Sequence, residues 1–476
     1  MELTRKIGLF AGPIAFLILS NLPFEMLSPK GDAVIAVTSW ILIWWILEAV
    51  SISVTSLLPL LLFPIMDILP MDEVGANYAS PVVFLFFGGF IMALALEKVN
   101  LHRRIALNII KVTGTTPNQV ILGFMIATAV LSMWISNTAT AVVMLPIALS
   151  VIDLLVKDGD GFTKDDRNFA VSVMLGIAFG ANTGGMATII GSPPNSIMVG
   201  YLENEHQIEV SFLQWMSIGV PVSFLMLGIS YWVLVKWLYP NHNIKFSAPR
   251  ELIQGELEKL GPISGKERMV MVLFGITVFL WVFRTLINAL VPGLGLSDPM
   301  IAIFAAIALF SLPYNLRKGD FILHWKDTSK LAWGILILFG GGLAIAQGMS
   351  STGIVDLVAH AIGESQISVF LMAGLLIFLV LFMTELMSNT ALVALMAPML
   401  AGIAMGLDLP LVHLLIPVAL ASSCAFMLPM ATPPNAIVFA SGYVTIPQMA
   451  RSGILLNLLA VLLLILVFQF VMPLLF

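Results

Sequence analysis

Cysteine and charged residues are scarce in this chain. Cys424 is the single cysteine among 476 residues, which excludes an internal disulfide and a cysteine-based metal cluster. Only 10% of the residues are charged, whereas 59% are hydrophobic. A soluble protein of this composition would have too few polar side chains to cover its surface. The composition therefore predicts an all-α polytopic membrane protein.

Sequence motifs typical of enzymes are also missing. The chain has neither a His-Glu-x-x-His zinc helix nor a Gly-x-Ser-x-Gly nucleophile turn. Its nearest approach to a phosphate-binding loop, Ser264-Gly265-Lys266-Glu267, lacks the required spacing and the hydroxyl after the lysine. We therefore expect no enzymatic activity, no ATP-driven pumping and no nucleic-acid partner.

Hydrophobic stretches long enough to cross a lipid bilayer, which takes roughly 20 residues, recur along the whole chain. They predict about 11 transmembrane helices, at 8–27, 33–50, 51–69, 80–98, 168–202, 212–239, 269–290, 299–314, 331–350, 411–442 and 452–475. Amphipathic extensions follow the fourth and the ninth of these helices, at 100–113 and 353–363.

A polar triplet interrupts two further hydrophobic regions. Ser136-Asn137-Thr138 lies between Val120 and Val156, and Ser388-Asn389-Thr390 lies between Val369 and Met405. Three polar side chains at such depth are costly if they face only lipid, and Ser and Asn compete with the helical backbone for hydrogen bonds. We therefore predict two re-entrant hairpins, at 117–157 and 367–407, with the triplets at their tips.

Loop charges support this topology. With a cytoplasmic N-terminus and both hairpins returning to their side of entry, only Lys30 and Arg284 of the 22 lysine and arginine residues fall outside the cell. If 117–157 crossed the membrane once, this bias would largely disappear. The topology predicts an inner-membrane protein with an external C-terminus and a polar cytoplasmic linker at 240–267.

The two halves of the chain repeat each other. Phe87-Gly88-Gly89 returns as Phe339-Gly340-Gly341 at the same offset as the triplets, and Gly191-Ser192-Pro193-Pro194-Asn195 returns as Ala431-Thr432-Pro433-Pro434-Asn435. Under the predicted topology the repeats run in opposite directions through the membrane. Inverted repeats of this kind are typical of secondary transporters, whose sites lie at interrupted helices near the midplane.

Each predicted hairpin tip combines groups that suit a cation and an anion. The hydroxyls of Ser132 and Ser136, and those of Thr384 and Ser388, are four residues apart and share a helix face. With helix-end carbonyls and an asparagine oxygen they could bind a monovalent cation such as Na⁺. The helix that follows each triplet presents free N–H groups and a positive dipole end, which favour an anion.

The Pro-Pro-Asn segments supply the opposite wall. Two prolines remove two backbone donors and unwind the preceding helix, small Gly191 and Ala431 allow close approach, and Ser192 and Thr432 add hydroxyls. None of these four segments contains Lys, Arg or His. Bound cations would therefore have to neutralise an anionic substrate, which is a physical reason for coupled transport.

On these triplets, Pro-Pro-Asn segments and repeats, the chain resembles the divalent-anion:sodium symporters, the dicarboxylate carriers of the INDY type. The resemblance covers essentially the whole length. It implies Na⁺-coupled uptake of succinate, fumarate and malate by a homodimer with an elevator mechanism. It further implies scaffold parts at 1–113 and 268–363 and transport parts at 114–239 and 364–476.

The same resemblance implies the binding residues. One sodium site would use Ser132, Ser136, Asn137 and Gly191, and the other Thr384, Ser388, Asn389 and Ala431. The substrate would meet the two triplets together with Ser192, Thr432 and Pro433. Glu385 has Met133 as its counterpart in the first hairpin, so we expect it to contact neighbouring groups or water rather than ligate sodium directly.

Several alternatives stay open at this point. The substrate could be citrate, sulfate or another oxyanion, and the protein could exchange dicarboxylates. A channel is disfavoured by inverted repeats within one chain, and a Na⁺/H⁺ or metalloid exporter would need an acidic residue at a hairpin tip. The triplets could also serve only as hydrogen-bonding contacts between helices.

Overall fold

The computed structural model describes residues 2–22, 26–156, 162–241, 249–291, 293–315, 320–364 and 367–476. Within these ranges nearly all regular structure is helical, and the exception is one antiparallel pair, β1 (Pro313–Asn315) and β2 (Asp320–Phe321). Residues 23–25 of the first predicted span, residue 157 of the first predicted hairpin and residues 242–248 of the predicted linker lie outside the described ranges.

The helices before the first triplet follow the predicted spans, with one correction. They are α1 (Glu2–Leu19), α2 (Pro29–Ile46), α3 (Ile52–Thr55), α4 (Leu58–Ile65), α5 (Met71–Tyr78), α6 (Pro81–Lys98) and α7 (Leu101–Thr113). The prediction of a single helix over 51–69 is wrong, because this stretch is divided between α3 and α4. Pro59 in the first turn of α4 has no N–H to donate to Thr55 O. At the same division, the Tyr78 hydroxyl donates to Ser56 O at 2.5 Å.

Both triplets lie where one helix ends and the next begins, as predicted. In the first half the elements are α8 (Pro117–Ser132), α9 (Asn137–Val156), α10 (Lys164–Gly185), α11 (Pro193–His206) and α12 (Phe212–Trp232), which continues as a π-helical turn at Val233–Leu238. The predicted span 168–202 is therefore interrupted before Pro193. That each hairpin enters and leaves on one side of the membrane stays a prediction.

The second half repeats this order of elements. After α13 (Pro249–Leu260) come α14 (Gly265–Leu290), α15 (Asp298–Ser311), a 3₁₀ turn at Trp325–Lys330, α16 (Trp333–Ser351) and α17 (Ile354–Gly363). The second triplet separates α18 (Val369–Met383) from α19 (Asn389–Gly406), and the second Pro-Pro-Asn separates α20 (Leu411–Ser422) from α21 (Pro433–Ala440). The chain ends with α22 (Ile446–Leu466), a π-helical turn at Val467–Val471 and α23 (Met472–Leu475).

Local sequence signals fix several helix starts. The hydroxyl and N3 side chain of a capping box satisfy otherwise unpaired N–H groups at the starts of five helices: α8 (Thr116), α10 (Thr163), α12 (Ser211), α14 (Ser264) and α22 (Thr445). Proline in the first turn of α11 and of α21 needs no such partner, because it has no N–H. The breaks before these two helices therefore lie where the sequence predicts them.

Six helical segments of the described chain are long and apolar enough to cross a membrane: Met71–Lys98, Phe212–Leu238, Gly265–Leu290, Trp333–Ser351, Asn389–Gly406 and Ile446–Leu475. Several shorter apolar helices, among them α8, α18 and α20, accompany them. The count of about 11 transmembrane helices stays a prediction, as does the inverted direction of the repeats.

Helix packing brings the interrupted elements together. The helix after the first triplet, α9, packs against α21 of the second half, and α19 packs against α11 of the first half. The Phe-Gly-Gly motifs permit close helix contacts elsewhere: a Cβ on Gly88 would lie 2.6 Å from the Ala302 backbone of α15. The two halves thus share one hydrophobic core.

Candidate functional site

The first hairpin tip gathers oxygen atoms from three elements. Ser132, the last residue of α8, places its Oγ 2.8 Å from the carbonyl oxygen of Ala181 on α10 and 2.6 Å from the Asn137 amide. The same amide faces the carbonyl oxygens of Gly191 and Ala181, each at 3.3 Å. Because carbonyl oxygens only accept hydrogen bonds, the Asn137 amide nitrogen must be the atom that faces them. If the Asn137 amide rotated by half a turn, its oxygen would join these carbonyl oxygens as a cation ligand.

The second hairpin tip repeats this arrangement. Thr384, which follows α18, places its Oγ1 2.6 Å from Asn389 Oδ1 and 2.7 Å from the carbonyl oxygen of Ser422 at the end of α20. A single hydroxyl hydrogen cannot serve both acceptors. The three oxygens therefore converge in the way that suits a hard cation, which prefers oxygen ligands.

Serine caps the helix that leaves each tip. Ser136 Oγ accepts from Ala139 N at 3.2 Å, and Ser388 Oγ accepts from Ala391 N at 3.5 Å. These bonds leave other first-turn N–H groups and the positive dipole end available to an anion. Ser136 and Thr138 are exposed, whereas Asn389 and Thr390 are half-buried, so both helix starts are accessible.

Asparagines of the Pro-Pro-Asn segments hold the unwound backbone. Asn195 Nδ2 donates to the carbonyl oxygens of Gly185 (2.9 Å) and Thr188 (2.8 Å). Asn435 Nδ2 donates to the corresponding carbonyl oxygens of Ala425 (3.1 Å) and Leu428 (3.0 Å). Each side chain closes the irregular loop before its own helix, which gives both breaks the same shape.

Asn182 joins helix α10 of the first half to the break of the second half. Its Nδ2, on α10 of the first half, lies 2.9 Å from Ala425 O, 3.2 Å from Thr432 Oγ1 and 3.3 Å from Asn435 Oδ1 of the second half. Asn182 is 1% exposed, so these bonds replace water. The carbonyl oxygen of its neighbour Ala181 accepts from Ser132 Oγ, so α10 links the first hairpin tip to the second break.

Hydrogen bonds place six of the thirteen predicted site residues at the hairpin tips and the second break. Ser132, Asn137 and Gly191 meet at the first tip, Thr384 and Asn389 meet at the second, and Thr432 contacts Asn182. The remaining predicted residues lie at the same tips and breaks: Ser136, Thr138, Ser388 and Thr390 at the starts of α9 and α19, and Ser192, Ala431 and Pro433 at the starts of α11 and α21. Pro433 is exposed, whereas Ser192 and Thr432 are buried.

Five further residues were not among the predicted ligands. Asn182, Asn195, Asn435 and Asn457 each bind an irregular backbone segment or the Glu385 carboxylate. The recurrence of Asn195 as Asn435 was a usable signal, because both end a repeated motif. Asn182 and Asn457 carried no such signal. Glu385 accepts hydrogen bonds from backbone N–H groups, and its expected role beside the site stays a prediction.

Basic side chains form no contacts with this site. Within the described ranges, no hydrogen bond or ion pair joins a lysine or arginine to the hairpin tips or the Pro-Pro-Asn segments. Arg284 pairs instead with Glu209 (2.6 Å) and Arg104 with Glu267 (2.7 Å). An anion at the helix starts would therefore depend on backbone dipoles and bound cations for its neutralisation.

Comparison with known proteins gives a family and close relatives. The model of the family described as "Sodium:sulfate symporter transmembrane region" matches residues 3–476. A protein of Staphylococcus saprophyticus named "Sodium-dependent dicarboxylate transporter SdcS" is 39% identical, with 98% of this chain and 92% of the relative covered. The protein of the same name from Staphylococcus aureus (strain USA300) is 38% identical, with 98% and 91% covered.

Two solved structures of transporters have a similar fold but little sequence similarity to this chain. The YdaH transporter of Alcanivorax borkumensis matches with a TM-score of 0.56 and 13% identity, covering 83% of this chain and 87% of that one. MtrF of Neisseria gonorrhoeae, whose title describes a class of antimetabolite efflux pumps, matches with a TM-score of 0.59 and 12% identity, covering 98% and 93%. At these identities the likeness concerns the fold alone.

Proposed function

The chain belongs to the family of the sodium:sulfate symporters, and on this premise we propose that it carries Na⁺ together with a C4-dicarboxylate, such as succinate, fumarate or malate, into the cell. The observation that carries the proposal is the repeated hydroxyl–asparagine pair at the hairpin tips, Ser132 with Asn137 and Thr384 with Asn389. Each pair sets a hydroxyl and an amide, whose oxygens can turn toward a cation, beside a helix start for an anion.

We further propose the residues of the binding sites. Na⁺ would be held by Ser132, Ser136, Asn137 and Gly191 in one site and by Thr384, Ser388, Asn389 and Ala431 in the other. The carboxylates would contact the two Ser-Asn-Thr triplets, Ser192, Thr432 and Pro433. Asn137 and Asn389 face both ligands in this arrangement, since each lies at the boundary between the oxygen cluster and the helix start.

Transport would follow from the energetic cost of the dianion. Two negative charges in a low-dielectric site without basic side chains are unstable until cations occupy the adjacent oxygen clusters. The transport parts, 114–239 and 364–476, would then move as an elevator against the scaffold parts of a homodimer. The N-terminus would be cytoplasmic and the C-terminus external, with 240–267 as the cytoplasmic linker.

The proposal is tested with the purified full-length protein in liposomes. We expect labelled succinate to accumulate when sodium is present outside, and to remain near background when choline replaces it. Equal uptake with choline would contradict sodium coupling, and competition by sulfate or citrate but not by fumarate and malate would change the substrate class.

The same assay tests the proposed residues. Asn389→Ala removes an amide that would face both ligands, so the half-saturating concentrations of sodium and succinate should rise together, by about tenfold or more. Asn108→Ala is the control, because Asn108 is exposed on α7 and its amide donates to Arg104 O of the same helix. A rise in the succinate value alone would contradict the shared position of Asn389.

A further inference from the structure

Glu385 is a buried carboxylate that binds irregular backbone instead of a basic side chain. It is 3% exposed and follows Thr384 at the second hairpin tip. Its Oε1 accepts from Phe426 N (2.7 Å) and Met427 N (2.9 Å), and its Oε2 accepts from Met427 N (3.1 Å) and Leu428 N (3.2 Å). Asn457 of α22 adds a fourth donor, since its Nδ2 lies 2.7 Å from Oε1.

A difference between the two breaks explains why only one hairpin has this carboxylate. Helix α10 ends at Gly185 and α20 at Ser422, so the non-helical stretch covers 186–192 in the first half but 423–432 in the second. In the first half, Met186 N and Ala187 N still donate to carbonyl oxygens of the preceding turn, at 3.2 and 3.0 Å. Because α20 ends earlier, the corresponding N–H groups of Phe426 and Met427 have no carbonyl oxygen of a preceding helical turn to donate to, and they donate to Glu385.

Glu385 replaces those missing acceptors. Buried N–H groups without a partner are costly, and three of them in succession would prevent the second break from keeping one conformation. The first hairpin has Met133 at the equivalent position, where no such need exists. The charge of Glu385 is thus explained by the backbone it faces rather than by direct contact with a ligand.

The carboxylate also connects the two walls of the second site. Thr384, its neighbour, supplies the hydroxyl beside Asn389 on the hairpin wall. Leu428, which Glu385 binds through its N–H, accepts through its carbonyl oxygen from Asn435 (3.0 Å) and from Ala431 N (3.2 Å) on the opposite wall. A change in Glu385 would therefore alter the spacing between Asn389 and Ala431.

We propose that Glu385 is a positioning residue for the second cation site: it anchors the backbone of Phe426–Leu428 and so fixes the unwound segment that carries Ala431 against the hairpin tip that carries Thr384 and Asn389. This inference rests on the proposed function. The first half has Met133 at the equivalent position and no carboxyl group behind its tip, so the two cation sites are unequal.

Glu385→Gln is the test, with sodium-driven succinate uptake in liposomes as the assay. Glutamine keeps the length of the side chain but loses the charge and part of its accepting capacity. The half-saturating sodium concentration should rise about tenfold. Removing a residue that supports a metal ligand typically weakens metal binding by about 10- to 100-fold, and this is the lower end of that range. Glu364→Gln is the matched control, because Glu364 is an exposed glutamate that pairs with His360 on the same helix face.

A second measurement separates positioning from folding. Sodium should raise the unfolding temperature of detergent-solubilised wild type, because a ligand of the folded state stabilises it, and this rise should shrink in Glu385→Gln at the same sodium concentration. A lower maximal rate with an unchanged sodium half-saturation and an unchanged sodium-induced rise would overturn the inference and leave the proposed function intact. Wild type without sodium dependence would overturn both.

If the Glu385→Gln variant does not fold, Asn457→Leu tests the positioning role of Glu385 instead. It removes one donor to the carboxylate, and it also removes a buried amide oxygen that has no partner within the described structure. The sodium half-saturation should rise in the same direction and by less than in Glu385→Gln. An unchanged value would overturn the inference.

Discussion

Asparagine is the residue that organises the centre of this protein. An amide side chain carries donors and an acceptor, so it can bind the exposed carbonyl oxygens of a broken helix without adding charge. Asn195 and Asn435 use this capacity within their own breaks, and Asn182 uses it between the two halves. Asn137 and Asn389 lie at the hairpin tips with the same chemistry still available to a ligand.

Gly191 shows at the same scale how tightly the first break is packed. A Cβ at this position would lie 2.7 Å from the carbonyl oxygen of Gly185, a backbone atom that cannot move away by itself. Gly191→Ala should therefore displace the carbonyl oxygens around Asn137. We expect a loss of about 1–3 kcal/mol in the free energy of unfolding and a higher half-saturating sodium concentration.

Gly228→Ala is the control for this substitution. Gly228 lies within helix α12, unlike Gly191, and no heavy atom beyond the neighbouring backbone of its own helix lies within 4 Å of the Cβ position. Alanine there should leave stability unchanged or raise it by up to about 1 kcal/mol. Thermal unfolding in detergent and sodium-dependent uptake measure both variants, and equal behaviour of the two would contradict the close approach at Gly191.

At the scale of elements, polar contacts attach α13 to the amphipathic helix α7. Arg103 of α7 pairs with Glu256 of α13, and Lys111 Nζ donates to Gln254 Oε1 at 2.8 Å. Lys259 also pairs with Glu256, at 2.6 Å. The segment 240–267, predicted as a linker, therefore contains a helix that is fixed to the first half of the chain by ionic contacts.

Because Glu256 carries the ionic contact between α13 and α7, the pKa of its carboxyl group makes this contact dependent on pH. The hydrogen bond from Lys259 lowers the pKa of the Glu256 carboxyl, and the positive charge of Arg103 acts in the same direction. A lowered folded-state pKa contributes stability that is complete above the unfolded-state pKa and is lost as the pH falls through the folded-state value. The contribution is therefore present at neutral pH and disappears in acid.

Glu256→Gln should loosen α13 at neutral pH only. Amide hydrogen exchange in α13 should be faster in the variant than in wild type at pH 7, and the difference should vanish in acid, where the wild-type carboxyl is protonated as well. Glu251→Gln, the same change at an exposed position of the same helix, serves as control. A difference that persisted in acid would show that Glu256 acts through packing and not through its charge.

At the scale of the whole molecule, the two halves meet through buried polar groups. Asn182 of the first half binds Ala425 O, Thr432 and Asn435 of the second, and Cys424 Sγ lies 3.8 Å from Met186 Sδ beside it. Helices α9 and α19 each pack on a helix of the opposite half. The site is consequently a property of the assembled pair of repeats rather than of either repeat alone.

Asn182→Ala tests this connection. The change leaves Ala425 O and Asn435 Oδ1 without one of their donors, and a buried group that loses its partner costs about 1–3 kcal/mol. We expect a lower unfolding temperature in detergent and a smaller increase on adding sodium. Asn168→Ala on the same helix, which removes only a bond to Pro240 O, should leave the sodium-induced increase unchanged. Equal sodium responses of the two variants would contradict the role of Asn182.

The sequence by itself determined the features that depend on local chemistry. Hydrophobic length predicts a membrane protein, proline pairs predict the breaks before α11 and α21, and polar triplets predict the ends of α8 and α18. Repetition of these signals at matching offsets identifies corresponding parts of the two halves. Each of these features is decided by residues that are close together in the chain, so a single sequence is sufficient.

Tertiary structure alone decided the features that depend on distant partners. Hydropathy predicts one helix over 51–69. The structure divides this stretch at Ser56, whose carbonyl oxygen accepts a hydrogen bond from the Tyr78 hydroxyl. Because α20 ends early, three buried N–H groups are left for Glu385 to accept from. Asn182 contacts Thr432 only because the two halves pack against each other. Hydrogen-bond partners far apart in sequence become defined only when helices pack, because burial is what makes an unpaired polar group costly.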